Sequence, residues 1–348
     1  MHTDATNGIR RPPFSILVYT GSDTDNAIGE DIIKLVFAQA LREAFPDAHI
    51  SWVPGYGKDG YFENLLRPLS SLYVDEVITD LYIDNGLRGL LASNHQITKR
   101  FFDLIIDTQT TLSRTLFLRR IHHRIFISRN LRYLLSDRKP PPGLPSASRH
   151  LLEKLLHLLA AATGEIVQAR HTLRIEGHWQ VLAEELLPEG PAYIGFAPGA
   201  GDQGKDKCWS LENFIATARR QVKYGRVPVF LLGPQERNWW PMIKQRVGDA
   251  LFPEGSELLK GKNIHGPSLL MALAGRLQLA VANCSGAGHM LAAGGAAMVS
   301  LFGPTQPGKY APYAWRLKTL RVQDFGGNEI SGIPVDAVCQ AIEALLEQ

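Results

Sequence analysis

Two kinds of apolar pattern alternate along the chain. Short apolar runs, typical of buried strands, cover residues 15–20, 49–53, 74–78, 104–107 and 124–127, and later 193–197, 227–232, 277–282 and 297–302. Apolar positions at helical spacing cover residues 32–45, 150–162, 211–222, 235–247, 268–274 and 286–293. Strands that alternate with helices predict an α/β protein whose parallel sheets carry helices on both faces.

Length and proline-rich breaks divide this pattern into two parts. A chain of 348 residues exceeds one ordinary core, and breaks fall at 139–148 and 188–191. We therefore predict a disordered lead-in over residues 1–14, a first domain over 15–188 and a second domain over 189–332. Residues 333–348 carry an amphipathic helical pattern, and this helix is predicted to pack back on the first domain.

Composition narrows the class of protein. The 37 basic and 34 acidic residues leave a formal charge of +3, which argues against nucleic-acid binding through the whole surface. Cys208, Cys284 and Cys339 are widely spaced, so neither a disulfide framework nor a cysteine zinc site is expected. The sequence has no signal-peptide pattern and no apolar run of the length that spans a membrane. We therefore predict a cytoplasmic enzyme.

A glycine-rich turn follows the strand at 193–197. The sequence YIGFAPGAGDQGKDKCW, residues 193–209, predicts a strand, a sharp turn that comes close to a ligand, and the start of a helix. Ser210 is the predicted N-cap of that helix, whose first N–H groups favour an anion, and Lys205 and Lys207 lie in the turn. The alternative is an ordinary strand-to-helix loop with solvated lysines.

Basic residues are concentrated between Arg114 and Lys139, where Asp137 is the only acid. We predict that this cluster attracts an anionic acceptor or an anionic membrane surface. The residues assigned to acceptor binding are Arg119, Arg120 and Arg124. The alternative is a solvated helix face.

Four blocks in the second half resemble the ADP-heptose:lipopolysaccharide heptosyltransferase family, glycosyltransferase family 9. They are GFAPGAGDQGKDKCWSLENF, VFLLGPQE, the run from 283 to 307 and the APY at 311–313, in the family's order and spacing. The resemblance implies a GT-B fold, in which two Rossmann-like domains face each other across a cleft. It also implies that the acceptor binds mainly to the first domain, that the nucleotide sugar binds mainly to the second, and that no metal or other cofactor is required.

The resemblance assigns roles to individual residues. Lys207 would contact the donor diphosphate and stabilise it as it leaves, as a metal does in other transferases. Glu236 would bind the ribose hydroxyls, and the backbone near Gly266 and Pro267 would hold the adenine edge. The predicted donor-binding residues are Gly199, Ala200, Gly201, Gln203, Trp209, Gly233, Glu236, Gly266, Pro267, Cys284, Ser285, Gly286, His289 and Thr305. From the residues alone, a solvated Glu236 and a core His289 remain alternatives.

Two positions depart from the family pattern. Cys284 stands where the family usually has an aspartate that contacts the donor sugar, so the sugar could differ from the usual heptose. Glu30 aligns with the family's catalytic aspartate, and Asp31 lies next to it. Inverting transfer needs one carboxylate to take the proton of the acceptor hydroxyl, and either residue could serve. Ordinary first-turn acids are the structural alternative, and Asp23 and Asp25 are weaker candidates.

These expectations define an inverting, metal-independent glycosyltransferase. It would move a heptose or related sugar from an ADP-sugar to a phosphorylated lipopolysaccharide core or related glycan, at the cytoplasmic face of the inner membrane. One alternative is a catalytically silent nucleotide-sugar-binding protein, and others are a different donor sugar or a protein acceptor. A dehydrogenase is a poorer candidate, because the loop TGSDTDNAIGED lacks GxGxxG spacing.

Overall fold

The computed structural model describes residues 14–22, 27–55, 60–81, 83, 96–145, 148–199, 208–303 and 305–347. They form two five-stranded sheets, and every strand pairing in both sheets is parallel. The predicted α/β class is therefore confirmed. Their strands are largely apolar because helices cover both faces of such sheets.

The first sheet has the strand order β3-β2-β1-β4-β5. Its strands are β1 (Ser15–Ser22), β2 (His49–Gly55), β3 (Glu76–Val77), β4 (Phe101–Asp107) and β5 (His122–Ser128). The helices of this part are α1 (Ile28–Ala44), α2 (Arg67–Ser70), α3 (Leu112–Leu118) and α4 (Leu151–Thr163), with short 3₁₀ turns at Gln96–Lys99 and Asn130–Tyr133. The central strand β1 pairs with β2 and β4, which buries Ile16 and Val18 completely.

The second sheet has the strand order β10-β9-β8-β6-β7. Its strands are β6 (Tyr193–Ala197), β7 (Val227–Phe230), β8 (Leu279–Asn283), β9 (Ala297–Phe302) and β10 (Leu317–Arg321). The helices are α5 (Gly177–Leu186), α6 (Leu211–Lys223), α7 (Trp240–Arg246), α8 (Gly266–Ala274), α9 (Gly286–Ala293), α10 (Pro307–Tyr310) and α11 (Val335–Leu346). Short 3₁₀ turns lie at Arg237–Trp239, Pro253–Gly255, Glu257–Leu259, Val322–Phe325 and Ile330–Gly332.

The last helix, α11, packs on the second sheet and not on the first domain, so that prediction is wrong. Val338, Ile342 and Leu345 lie in the same apolar cluster as Phe214 of α6, and α11 contacts α6, β8, β9 and β10. An ion pair between Arg226 and Glu343, at 2.5 Å, adds to this contact. The amphipathic pattern predicted the helix, but it contained no information on which sheet would cover the apolar face.

The two parts of the chain also share one apolar core. Helix α1 packs against α9, and α5, which the predicted boundary at 188 assigns to the first domain, packs against α8. A continuous cluster of buried side chains runs from Ile16 and Phe37 to Met271 and Leu291. The first turns of α1 and α9 thereby come together.

Candidate active site

The first turns of α1 and α9 meet at two glycines. A Cβ atom on Gly286 would lie 2.2 Å from Cγ2 of Ile28, and one on Gly29 would lie 2.6 Å from Cδ2 of His289. A side chain at either position would have to displace Ile28 or the His289 ring, so glycine permits the close approach of the two helices. Two positive helix ends therefore point into one region, which favours negatively charged ligands there.

His289 lies in this contact and is 7% exposed. Burial, and to a smaller extent the nearby His150, lowers the pKa of His289 to about 4. The imidazole is therefore neutral at physiological pH and can donate one hydrogen bond and accept another. The ring of His289 is buried against Gly29, as the alternative of a buried histidine requires, and its role in donor binding stays a prediction.

The structure separates the two candidate bases on α1. Asp31 is buried, and its Oδ1 lies 2.9 Å from Nζ of Lys34, with both side chains less than 10% exposed. Glu30 is only half-buried. The pKa of Lys309 is raised chiefly by a hydrogen bond with Tyr310 and, to the smallest extent, by the charge of Glu30. Glu30 can therefore meet a substrate, whereas the carboxylate of Asp31 is already bound to a cation within its own helix.

Asn283 connects the two ends of the glycine-rich turn. Its Oδ1 accepts a hydrogen bond from the backbone N–H of Trp209 at 2.9 Å, and its Nδ2 donates to the carbonyl of Pro198 at 2.7 Å. The side chain is fully buried at the end of β8. It thus fixes where the segment between residues 198 and 209 leaves and rejoins the domain. Sequence reasoning gave Asn283 no role, although an amide at the end of a fully apolar strand was a usable signal.

Trp209, predicted to bind the donor, contributes its side chain to the core. The indole is 1% exposed, packs edge-on against Phe214 at 5.1 Å and donates from Nε1 to the carbonyl of Ile333 at 2.9 Å. An indole is largely apolar, so burial with its single donor satisfied is the favourable arrangement. The neighbouring Ser210 is the N-cap of α6, as predicted, and accepts from the N–H of Asn213.

Glu236 lies over the ends of β6 and β7. A Cβ atom on Gly199 would lie 2.5 Å from its Oε1, and one on Gly233 would lie 2.7 Å from its Oε2. The residue is 8% exposed, so the alternative of a solvated glutamate is excluded. The absence of side chains at Gly199 and Gly233 leaves room for this carboxylate at the carboxyl edge of the sheet.

Three predicted donor-binding residues lie in the loops that follow β8 and β9. The hydroxyl of Ser285 accepts a hydrogen bond from the N–H of Gly288 as the N-cap of α9, so its own proton and one lone pair remain for a ligand. Cys284 is half-buried between β8 and this cap. The Oγ1 atom of Thr305 is buried and has no hydrogen-bond partner among the described residues. A buried hydroxyl of this kind is suited to contact a bound polar group.

Gly266 and Pro267 form the first two positions of α8, and the Pro267 side chain is buried. His265 is the N-cap of this helix and accepts from the N–H of Ser268, while its other ring nitrogen contacts the carbonyl of Leu65 in the first part of the chain. The start of α8 is therefore fixed across the two parts of the molecule.

Some predicted positions lie outside the described residues. These are Ala200, Gly201, Gln203 and Lys207, together with Lys205, Asp23 and Asp25. Their predicted roles stay predictions.

The chain matches the family model described as glycosyltransferase family 9 (heptosyltransferase) over residues 90–329. The chain belongs to glycosyltransferase family 9. It is therefore a glycosyltransferase. No curated protein sequence matches it.

Solved structures of family 9 proteins share its fold at low identity. A family 9 glycosyltransferase from Veillonella parvula is 20% identical with a TM-score of 0.65, over 96% of this chain and 97% of that one. Escherichia coli ADP-heptose lps heptosyltransferase II is 19% identical with a TM-score of 0.61, over 96% and 99%. Escherichia coli heptosyltransferase WaaC with ADP is 19% identical with a TM-score of 0.63, over 95% and 100%. The fold of this family 9 chain is the GT-B fold.

The arginine cluster of this glycosyltransferase is less available than its sequence suggested. Arg119 donates to the carbonyl of Leu135 and pairs with Asp137 at 2.8 Å. Arg114 is buried and donates to the carbonyl of Ile83. Arg120 and Arg124 are exposed. These arginines are close in sequence but differ in their exposure to solvent, and Arg119 is already bound to protein groups.

The described parts of the chain contain no group of three or more His, Cys, Asp or Glu side chains placed to hold a metal ion. Within the same parts, no helix has the length and apolar character needed to cross a membrane.

Proposed function

We propose that this family 9 glycosyltransferase moves a heptose or a related sugar from an ADP-sugar to a lipopolysaccharide core or a related glycan, with inversion and without a metal. The observation that carries the proposal is the contact between the first turns of α1 and α9. It places the first turn that carries the half-buried Glu30 against the start of a helix suited to phosphate, with the neutral ring of His289 against Gly29.

In this proposal Glu30 is the base. Its carboxylate takes the proton of the acceptor hydroxyl while that oxygen attacks the anomeric carbon, opposite the bond to the diphosphate. The electron pair of the breaking bond leaves with the nucleoside diphosphate. The N–H groups of α9 would stabilise the added negative charge, and Lys207, outside the described residues, would do so through the role that the resemblance implies. The Asp31–Lys34 pair favours Glu30 over Asp31 for the proton transfer.

Three features support an ADP-sugar as the donor. The solved WaaC structures contain ADP and ADP-2-deoxy-2-fluoro heptose, and this chain shares the family and fold. Glu236 is placed over Gly199 and Gly233, at a strand edge where ribose hydroxyls would find an acceptor. Thr305 provides a buried hydroxyl in the loop that follows β9.

Cys284 motivates a second candidate function, a catalytically silent protein that binds a nucleotide sugar. A half-buried thiol accepts hydrogen bonds more weakly than the carboxylate that the family resemblance leads us to expect there. The same replacement would also suit a donor sugar whose hydroxyls differ from those of heptose.

Calorimetric titration with ADP and UDP in excess chelator tests the donor assignment. We expect ADP to bind without divalent metal, and we expect Lys207→Ala to weaken binding by about 1.5–3 kcal/mol, the range for a hydrogen bond to a charged group. Lys223→Gln, at the exposed end of α6, is the matched control and should leave the affinity unchanged. Loss of ADP binding in chelator, or a tenfold preference for UDP, would contradict the proposal.

A further inference from the structure

Glu254 is an acid that the proposed mechanism does not use, and it contacts the strand end that leads to Glu236. It lies in the 3₁₀ turn Pro253–Gly255, after α7. Its Oε2 accepts a hydrogen bond from the backbone N–H of Leu232 at 3.0 Å. Leu232 is buried and lies two residues after the last residue of β7. The carboxyl group therefore holds the backbone at the carboxyl end of β7, where the turn to Glu236 begins.

This hydrogen bond continues the edge of the second sheet where the backbone cannot. The strand β7 is an edge strand, and Leu251 pairs with its outer side through two backbone hydrogen bonds of 2.9 Å. In one of them the N–H of Phe230 donates to the carbonyl of Leu251. Pro253 has no N–H with which to extend this pairing. The next N–H on the outer side is that of Leu232, and the side chain of Glu254 supplies its acceptor.

Aromatic packing holds the turn that carries Glu254. The ring of Phe252 stacks against that of Phe230 at 6.0 Å and against that of Trp240 at 5.2 Å. The Trp240 ring also lies directly against the backbone of Gly255, where it leaves no room for a Cβ atom. The turn is therefore fixed between β7 and α7, and its carboxyl group is a fixed hydrogen-bond acceptor.

The turn that begins at Leu232 determines where the Glu236 carboxylate lies. The N–H of Glu236 donates to the carbonyl of Gly233 at 3.1 Å, and its own carbonyl accepts from the N–H of Trp239 at 2.9 Å. The side chain folds back over this turn, since a Cβ atom on Gly233 would lie 2.7 Å from its Oε2. Gly233 directly follows Leu232. A displacement of Leu232 would therefore move the backbone against which the carboxylate lies.

The surroundings of Glu254 allow both protonation states near neutral pH. Burial raises its pKa to about 7, although the Leu232 N–H and the charge of Arg237 favour the ionised form. The smallest influence on this pKa is the negative charge of Glu236, which favours the neutral form. Arg237 and Glu254 line one cavity of about 150 Å³. A carboxyl group keeps an oxygen that accepts a hydrogen bond in either state, so the contact with Leu232 does not depend on ionisation.

We propose that Glu254 is a positioning residue of the donor site, which holds Leu232 so that the following turn presents Glu236 to the ribose of the nucleotide. This inference rests on the proposed function, in which Glu236 accepts the ribose hydroxyls. Glu254 acts through Leu232 and the turn, so it needs no contact with the nucleotide. Glutamine has the same length as glutamate and a carbonyl oxygen that accepts the same N–H, whereas alanine removes the acceptor.

Calorimetric titration with ADP measures the effect in a set of variants. Glu254→Ala removes the acceptor, Glu254→Gln retains it, and Glu236→Ala removes the side chain that Glu254 would position. A double variant that combines Glu236→Ala with Glu254→Ala tests whether one residue acts through the other. Glu257→Ala, at an exposed position in the next 3₁₀ turn, is the matched control.

Circular dichroism melting verifies that each variant folds. If Glu254→Ala does not fold, Glu254→Asp takes its place in both the single and the double variant, because the shorter side chain draws the carboxyl group away from Leu232.

We expect Glu254→Ala to weaken ADP binding about tenfold, and we expect Glu254→Gln and Glu257→Ala to stay within about twofold of the unmodified protein. The double variant should bind ADP as Glu236→Ala alone does, because no carboxylate remains to be positioned. Unchanged ADP affinity in Glu254→Ala, equal losses in Glu254→Ala and Glu254→Gln, or a double variant in which the two losses multiply would overturn the proposal. Failure of ADP to bind to the unmodified protein would instead refute the proposed function, and with it the ribose contact that Glu254 would support.

Discussion

His289 should make this protein less stable in mild acid. Its pKa is lowered from 6.5 to about 4 in the folded state, chiefly because the ring is buried against the first turn of α1. Between these two values the unfolded chain binds a proton that the folded chain does not bind. Protonation therefore favours unfolding, and the stability associated with neutral His289 is present above pH 6.5 and decreases as the pH falls towards 4.

The size of the effect follows from the two pKa values. Proton linkage gives a loss of about 2 kcal/mol of unfolding free energy at pH 5, and about 3 kcal/mol below pH 4. Two buried acids act in the opposite direction. Burial raises the pKa of Glu254 to about 7 and that of Asp107 to about 6, so these groups favour the folded state as the pH falls through those values.

The difference in unfolding free energy between the unmodified protein and His289→Gln isolates the contribution of the histidine. Urea unfolding of the unmodified protein and of His289→Gln, at pH 7.5 and pH 5, cancels the contributions of Glu254 and Asp107. We expect the stability of the unmodified protein, relative to the variant, to fall by about 2 kcal/mol between these pH values. His122→Gln, at an exposed position on β5, is the matched control and should show little change.

A constant difference between the unmodified protein and His289→Gln at the two pH values would refute this reasoning. It would mean that the imidazole titrates normally and is therefore solvated. The contact between Gly29 and the ring would then be absent in solution, and with it the close approach of α1 and α9.

Two further predictions concern the donor side of the cleft. Asn283→Ala should lower the unfolding free energy by about 2 kcal/mol and weaken ADP binding about tenfold, because both ends of the glycine-rich turn lose a buried hydrogen bond. Denaturant unfolding measures the first effect and calorimetry the second. Unchanged ADP affinity would show that Asn283 does not support the ADP site. Gly199→Ala should displace the Glu236 carboxylate and reduce ADP affinity. Gly248→Ala is the control, because nothing lies within 4 Å of the added atom, and it should leave ADP affinity unchanged. Equal affinities in the two variants would contradict the assigned position of Glu236.

Most strands could be predicted because both faces of a parallel sheet are buried, and their sequences are therefore continuous apolar runs. The strand β10 was missed, since it lies at the edge of its sheet and its sequence, LKTLR, is mostly polar. Helix α5 is absent from the predicted helices, because only three of its ten residues are buried and its apolar pattern is therefore weak. The predicted helix at 235–247 is divided into a 3₁₀ turn and α7, with Pro241 in the first turn of α7.

The site was harder to predict than the fold. The motifs placed Glu236 and His289 at the cleft, because glycines beside a strand end mark a close approach of the backbone. The family resemblance also assigned Trp209 to the donor, although its largely apolar ring is buried in the core with its one N–H donor satisfied.

The central claim is that Glu30 is the base of an inverting sugar transfer, and a transfer assay with Glu30 variants tests it most directly. ADP-heptose and a lipopolysaccharide core acceptor are incubated with the unmodified protein, Glu30→Gln and Asp31→Asn, and the product and its anomeric configuration are measured. We predict inverted product, a loss of turnover of about a hundredfold or more in Glu30→Gln at nearly constant ADP affinity, and a much smaller loss in Asp31→Asn. Retention of configuration, or full turnover in Glu30→Gln, would contradict the account.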